Sequence, residues 1–292
     1  MSQQTLIQLN NHHHIPSIGL GVYKTPPDVV RKLVFNALDD GYRLFDSAMF
    51  YGNEEGVCDG IADWLDIKPD IRKRSDIFYT TKIFDDAHGY EEAKKAIQGC
   101  LRKASRIGYI DMILIHSPQS DDQRRHGTWI ALQEAYKSGT VRNIGVSNYG
   151  IKHLKQLFAY PDLEVRPAVN QVELHPWLKR DKLVSFCRDN SIVVEAYSPL
   201  TRGMWLNDPD LIKIGLRHNK DAGQVLIRWS LDQGFIPLPK TANEKRLISN
   251  LDVFDFKLDE DDRRLLLKKN GYKPTNPHWD PTKYPLDSEK TE

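Results

Sequence analysis

The sequence lacks most of the features that would place a protein by composition. Its charge is balanced: 41 basic and 40 acidic residues give a formal net charge of +1. Such a chain carries no strong field, so neither nucleic acid nor an anionic membrane is expected as a partner. Cysteine is scarce. Cys58, Cys100 and Cys187 are odd in number, far apart and without CxxC spacing, which argues against a disulfide framework and for reduced thiols in a cytoplasmic protein. No apolar run approaches the ~20 residues of a membrane span. The opening stretch, MSQQTLIQLNN, has no basic region followed by an apolar one, so no signal peptide is expected. Low-complexity segments and internal linkers are missing as well, and no obligate protein partner is evident.

What is present is length and alternation. With 292 residues, 40% hydrophobic and 28% charged, the chain can bury one large core or two modest ones. Strand-like runs stand at 17–23, 42–46, 77–83, 111–116, 141–147, 167–174, 191–197 and 235–240. Helical spacing follows them at 28–41, 54–65, 90–108, around 126–138, and at 151–159, 180–190, 221–234 and 259–271. Gly41 is placed as a helix stop. Strict alternation argues for a parallel sheet covered by helices. Eight units in this length fit a closed (β/α)8 TIM barrel with its site at the C-terminal strand ends. An open doubly wound sheet is the alternative, but it calls for a GxGxxG turn, and GLG at 19–21 lacks the spacing. One domain over 1–292 is expected, ending in a proline- and aromatic-rich tail after Gly271.

The polar residues that end these strands form a set. They are Asp46, Lys82, His116, Ser147 with Asn148, Gln171, Tyr197 and Lys240, and Tyr51 follows Asp46 in one loop. Each has an ordinary explanation: a cap, a solvated ammonium, a structural histidine. Together they describe chemistry. Lys82 lies in a run of otherwise low charge, and a buried ammonium needs a carboxylate; Asp46 is the candidate. A lysine beside a tyrosine favours the phenolate and makes the phenol a better acid. A histidine nearby orients a carbonyl. A barrel hydrolase would need paired carboxylates or a metal cluster, and at the strand ends only Asp46 and Glu173 are candidates. The run His12-His13-His14 does not supply a metal site, because adjacent histidines in a turn rarely converge on one ion.

At these residues the sequence resembles the aldo-keto reductases over nearly the whole chain. The most specific stretch is GYRLFDSAMFYGNEEGV, 41–57. It carries the family's Gly-aromatic-Arg, apolar pair, Asp, small residue, Ala and Tyr-x-Asn-Glu pattern; Cys58, just beyond, stands where Gly or Ser is usual. By this resemblance Asp46, Tyr51, Lys82 and His116 are the catalytic tetrad, with Tyr51 the proton donor. The family's barrel opens with an N-terminal β-hairpin, expected here at 9–21.

The resemblance also implies a cofactor site. Ser147 and Asn148 of VSNYG, with Gln171 of NQVELHP, would hold a nicotinamide carboxamide, and Tyr197 of AYSPL would stack on the ring. Val22, Tyr23 and Asp46 belong to the same set. Ser198 and Leu200 begin the pyrophosphate loop, where TRGM (201–204) departs from a Gly-Ser-Pro-type run, so no contact is assigned to Thr201 or Arg202. In LPKTANEKRLISN (238–250), Lys240, Thr241 and Arg246 match a 2′-phosphate clamp and Asn250 an adenine contact. Ser249 replaces a common Glu. Two cations and a hydroxyl at a helix start suit a phosphate, so NADPH is the implied cofactor.

Substrate specificity in this family comes from loops and the tail. Tyr23, Phe50, His116, Ser117, Trp279 and Tyr284 are the expected pocket lining. Ser117 stands where many members have Trp, which implies a wider pocket. The tail resembles those of fungal reductases acting on α-dicarbonyl compounds, ketoesters and ketoamides. Xylose- or arabinose-type aldose reduction is the second reading, and a low-turnover NADPH-sensing subunit a third.

Overall fold

A computed structural model describes residues 5–290; Met1–Gln4, the head of the segment read for a leader, and Thr291–Glu292 lie outside the described residues. The chain opens with β1 (Leu6–Gln8) and β2 (His14–Pro16), which pair antiparallel; the expected hairpin is present but lies earlier than 9–21, because Leu20–Gly21 already belongs to the barrel. Eight parallel strands follow: β3 (Leu20–Gly21), β4 (Leu44–Asp46), β5 (Phe78–Ile83), β6 (Met112–Ile115), β7 (Ile144–Ser147), β8 (Val169–Glu173), β9 (Val193–Tyr197) and β10 (Ile236–Leu238). A bridge from Gly21 to Lys240, and 3.1 Å hydrogen bonds from Gly19 N to Pro237 O and from Gly21 N to Pro239 O, join the first strand to the last. The sheet is therefore a barrel and not an open doubly wound sheet.

Period two sorts the side chains, because successive residues of a strand point to opposite faces. Phe45, Tyr79, Ile83, Ile113, Ile115, Val146, Val172, Val194 and Ala196 pack outward in one core with the helices. The other parity faces inward. Leu44, Phe78, Met112, Leu114, Val169, Ile236 and Leu238, most of them near strand starts, form a separate cluster with Leu9 and Ile15 of the hairpin. The hairpin thus plugs the N-terminal end of the barrel, and Asn11 Nδ2 fixes it to Asn143 Oδ1 at 2.8 Å. Gly145 belongs to this inner packing: a Cβ there would lie 2.7 Å from Val169 O and 2.8 Å from the Leu114 side chain.

The helices are α1 (Pro27–Asp40), α2 (Glu54–Ile67), α3 (Tyr90–Lys103), α4 (Asp122–Lys137), α5 (Ile151–Phe158), α6 (Asp181–Asp189), α7 (Pro209–His218), α8 (Ala222–Asp232), α9 (Glu244–Leu251) and α10 (Glu260–Leu267). Gly41 stops α1 in the left-handed region, at φ 112°. The glycines of α2 reflect close packing: a Cβ on Gly60 would lie 2.5 Å from Arg31 O of α1. The helix following β10 is α9, capped by Asn243, whose Oδ1 accepts from Lys245 N and Arg246 N at 3.0 and 3.3 Å. The run at 259–271 is the additional α10, and it packs on α7, which the alternation did not anticipate. The signal for α7 was local: Asp208 accepts from Asp210 N, Pro209 follows it, and Leu211 and Ile214 are buried. Among the described residues no helix is long and apolar enough to cross a membrane.

The tail returns to the C-terminal rim. Arg180, at the start of α6, donates to Thr282 Oγ1 (2.8 Å) and Asp280 Oδ1 (2.9 Å), with its guanidinium buried. Further along, His153 bonds Tyr284 O (2.8 Å) and Asp122 N donates to Asp287 Oδ2 (2.5 Å). The last segment therefore crosses the starts of α6, α5 and α4, which follow β8, β7 and β6.

Candidate active site

Near the C-terminal end of the barrel the inward parity turns polar. Lys82 is fully buried on β5, and its Nζ donates to Asp46 Oδ1 and Oδ2 at 2.7 and 2.8 Å and to Ser47 O at 2.8 Å. A longer contact of 3.4 Å reaches the Tyr51 hydroxyl. Burial opposes the Lys82 charge, but Asp46 and then Tyr51 outweigh it and raise its pKa. The pair is held by good geometry, which is what makes a buried ion pair tolerable. Tyr51 ends a short 3-10 turn, Met49–Tyr51. Asn53 fastens this loop: its Nδ2 donates to Val22 O and Thr25 O, each at 3.0 Å, while its Oδ1 accepts from Ser47 Oγ at 2.8 Å.

The sequence led us to expect a lowered Tyr51 pKa. The structure gives the opposite direction: burial raises it, and the Lys82 charge only limits the rise. Tyr51 keeps its proton at neutral pH. His116 stands with its ring 5.9 Å from that of Tyr51, at 81°. Burial, then the Lys82 charge, lowers its pKa to about 3, so the imidazole is neutral. A neutral imidazole retains one N–H donor.

Aromatic rings frame the group. Tyr23 lies 5.0 Å from Tyr51, and Phe50 stacks on Phe84 at 4.5 Å; Phe84 meets His116 edge-on at 5.5 Å. Phe84 was missed in the sequence, although it follows Lys82 at the same parity. Ser117 is fully buried, and its Oγ donates to Asp85 Oδ1 at 2.7 Å. Burial pushes the Asp85 carboxyl up to about 6, against the Ser117 bond. Trp279 and Tyr284 are half-buried on the tail. Among the described residues no hydrogen bond or ring contact joins either to Asp46, Tyr51, Lys82 or His116. Glu173 is no partner for Asp46 in a hydrolytic pair: its Oε1 accepts from His175 Nε2 (3.1 Å) and Thr275 N (2.8 Å), tying down the tail.

The expected cofactor residues continue this surface. Asn148 Nδ2 donates to His116 O (2.9 Å), and its Oδ1 accepts from the Tyr197 hydroxyl (2.9 Å). Ser147 Oγ donates to Gln171 O at 2.8 Å, and Gln171 Nε2 donates to Asp46 Oδ1 at 2.8 Å. Val22 is buried beside Asp46, whose carbonyl accepts its N–H at 3.1 Å. Beyond Tyr197, Ser198, Thr201 and Arg202 all have positive φ, near 50°. That conformation is strained for residues other than glycine. Leu200 packs into the cores beneath this loop, and Trp205 anchors it by stacking on Trp177 at 4.7 Å. Thr201 is fully buried and its Oγ1 accepts from Trp205 N at 3.3 Å, which leaves it a structural part.

The start of α9 fits an anionic, base-bearing ligand. Lys240 and Arg246 are exposed and form no ion pair among the described residues. Thr241 Oγ1 accepts from Asn243 N at 3.0 Å. Asn250 is buried beside the Tyr42 hydroxyl, and among the described residues its Nδ2 makes no full-strength hydrogen bond. A donor so weakly satisfied has capacity for a further acceptor.

A barrel with a buried Asp-Lys-Tyr cluster and a neutral histidine at its C-terminal end defines the class. The Aldo/keto reductase family profile matches residues 17–270, and the chain belongs to that family. It is an oxidoreductase that acts on carbonyl groups. An uncharacterized oxidoreductase of Saccharomyces cerevisiae is 45% identical over 95% of this chain and 98% of its own. Glyoxal reductase of Bacillus subtilis is 38% identical, covering 89% and 91%. Among solved structures, a Bombyx mori aldo-keto reductase in complex with NADP superposes with a TM-score of 0.88 at 32% identity, over 98% and 99% of the two chains.

Proposed function

We propose that this protein reduces α-dicarbonyl compounds, ketoesters or ketoamides with NADPH. NADP(H) is its cofactor, and when bound NADPH supplies the hydride. The chain's own residues do the rest. Tyr51 donates its proton to the carbonyl oxygen, and Lys82, held by Asp46, stabilises the phenolate left behind. His116 offers its N–H to the same oxygen and orients the carbonyl. Ser147, Asn148 and Gln171 would hold the carboxamide of NADPH and Tyr197 its ring, Ser198 and Leu200 its pyrophosphate, Lys240, Thr241 and Arg246 its 2′-phosphate, and Asn250 its adenine.

The observation that carries this reading is Lys82 Nζ, buried between Asp46 and Tyr51 in a family whose reaction needs a tuned acid. The substrate class rests on the pocket. Tyr23, Phe50 and Phe84 make an aromatic mouth, poor in partners for a polyol and suited to flat dicarbonyls. Trp279 and Tyr284 are assigned to its wall from the tail, whereas Ser117, buried against Asp85, offers no surface to it. The dicarbonyl named in the Bacillus relative agrees with this class. Three buried, unpaired cysteines support a reducing compartment, the cytoplasm. NADPH consumption with an α-ketoester, a cyclic dione and an aldopentose tests the substrate. The dicarbonyls are expected to have the higher kcat/KM; a preference for the aldopentose contradicts the assignment.

A further inference from the structure

One inward-facing group near this end has no part in the reduction. Glu195 lies on β9, two residues before Tyr197 and in register with Gln171 of β8 and Ile236 of β10. It is fully buried. Its Oε2 accepts from Gln171 Nε2 at 2.7 Å, while the same Nε2 donates to Asp46 Oδ1 at 2.8 Å. Its Oε1 has no partner among the described residues. The charged groups that face it are Asp46 from β4 and Lys82 from β5, and the Lys82 ammonium is already taken by Asp46 and Ser47.

A glutamine amide has two N–H hydrogens and one acceptor oxygen. Asp46 alone settles which end of Gln171 faces it, since a carboxylate takes only a donor. It does not settle the amide plane, because the terminal torsion of glutamine is broad. A second acceptor on the other hydrogen does. We propose that Glu195 is a positioning residue: by holding the second N–H of Gln171 it fixes the plane of that amide and aims its free Oε1 at the nicotinamide carboxamide. This rests on the reading of Gln171 as a carboxamide ligand. Burial, then the Asp46 charge, pushes the Glu195 carboxyl up to about 8. The protonated group still accepts through its carbonyl oxygen and adds no second charge beside Asp46.

The test is a set of binding constants, read by fluorescence, for NADPH and for adenosine 2′,5′-bisphosphate, which lacks the nicotinamide half. Losing one positioned hydrogen bond in Glu195→Leu is expected to weaken NADPH by about fivefold or more and to leave the bisphosphate unchanged. Glu195→Met serves where Leu does not fold, and Glu195→Gln, which restores an acceptor, is expected to recover NADPH binding. Equal weakening of both ligands overturns the proposal in favour of a structural role. Unchanged NADPH binding in Glu195→Leu, with Gln171→Leu weakened, overturns it directly. Unchanged binding in Gln171→Leu instead removes the carboxamide reading beneath it.

Discussion

The two ends of the barrel interior are built on the same strands and the same parity, yet they differ in kind. Leu44 gives way to Asp46, Phe78 to Lys82, Leu114 to His116, Val169 to Gln171, Val193 to Glu195 and Leu238 to Lys240. The lower members, apart from Val193, which packs against them half-buried, form a buried apolar cluster with the hairpin. Of the upper members, Asp46, Lys82, Gln171 and Glu195 form a hydrogen-bonded net around one ammonium, with His116 and Lys240 beside it. The difference teaches a division of labour within about one turn of pleat. Burying a Leu-sized side chain contributes roughly 2 kcal/mol, whereas a buried ion pair gains little net stability. Stability comes from the lower end, and the upper end is kept for chemistry.

Converting the upper end into the lower one has the largest expected effect. Asp46→Leu leaves the Lys82 ammonium buried and unpaired, and is expected to cost roughly 3–5 kcal/mol in denaturant unfolding. The double variant Asp46→Leu/Lys82→Met is expected to regain most of that stability and none of the activity. Leu114→Ala, at the lower end, is expected to lose about 2–5 kcal/mol with turnover largely kept.

A pH series sharpens the same contrast. Glu195 has its folded pKa raised to about 8 from an ordinary 4.5. The unfolded chain therefore releases this proton first as pH rises. Stability linked to Glu195 is present below pH 4.5 and is lost progressively towards pH 8. Relative to wild type, Glu195→Gln is expected to gain on the order of 2 kcal/mol between pH 5 and 7, measured by urea melts. The smallest effect lies outside the barrel. Lys240→Ala and Arg246→Ala are each expected to weaken NADPH about tenfold while hardly changing NADH, as read by fluorescence titration.

That Asp46, Tyr51, Lys82 and His116 gather was legible from the family resemblance of their motifs; their places at strand ends alone left a cap, a solvated ammonium or a structural histidine as ordinary explanations. The closed barrel was legible because the alternation is regular. Glu195 was not, because SIVVEAY reads as one strand whose end is Tyr197; only the parity shared with Tyr197 points it inward. The direction of the Tyr51 shift was missed because sequence shows the neighbouring Lys82 but not the depth of burial. The place of the tail depends on Arg180 reaching Asp280 and Thr282, about a hundred residues away, which no local pattern encodes.

The proposed reduction depends on Tyr51 giving the proton. Turnover of an α-ketoester by Tyr51→Phe, set beside its NADPH dissociation constant, tests this most directly. A loss of at least about a hundredfold in kcat is expected, with the dissociation constant unchanged. Turnover retained in Tyr51→Phe would contradict it.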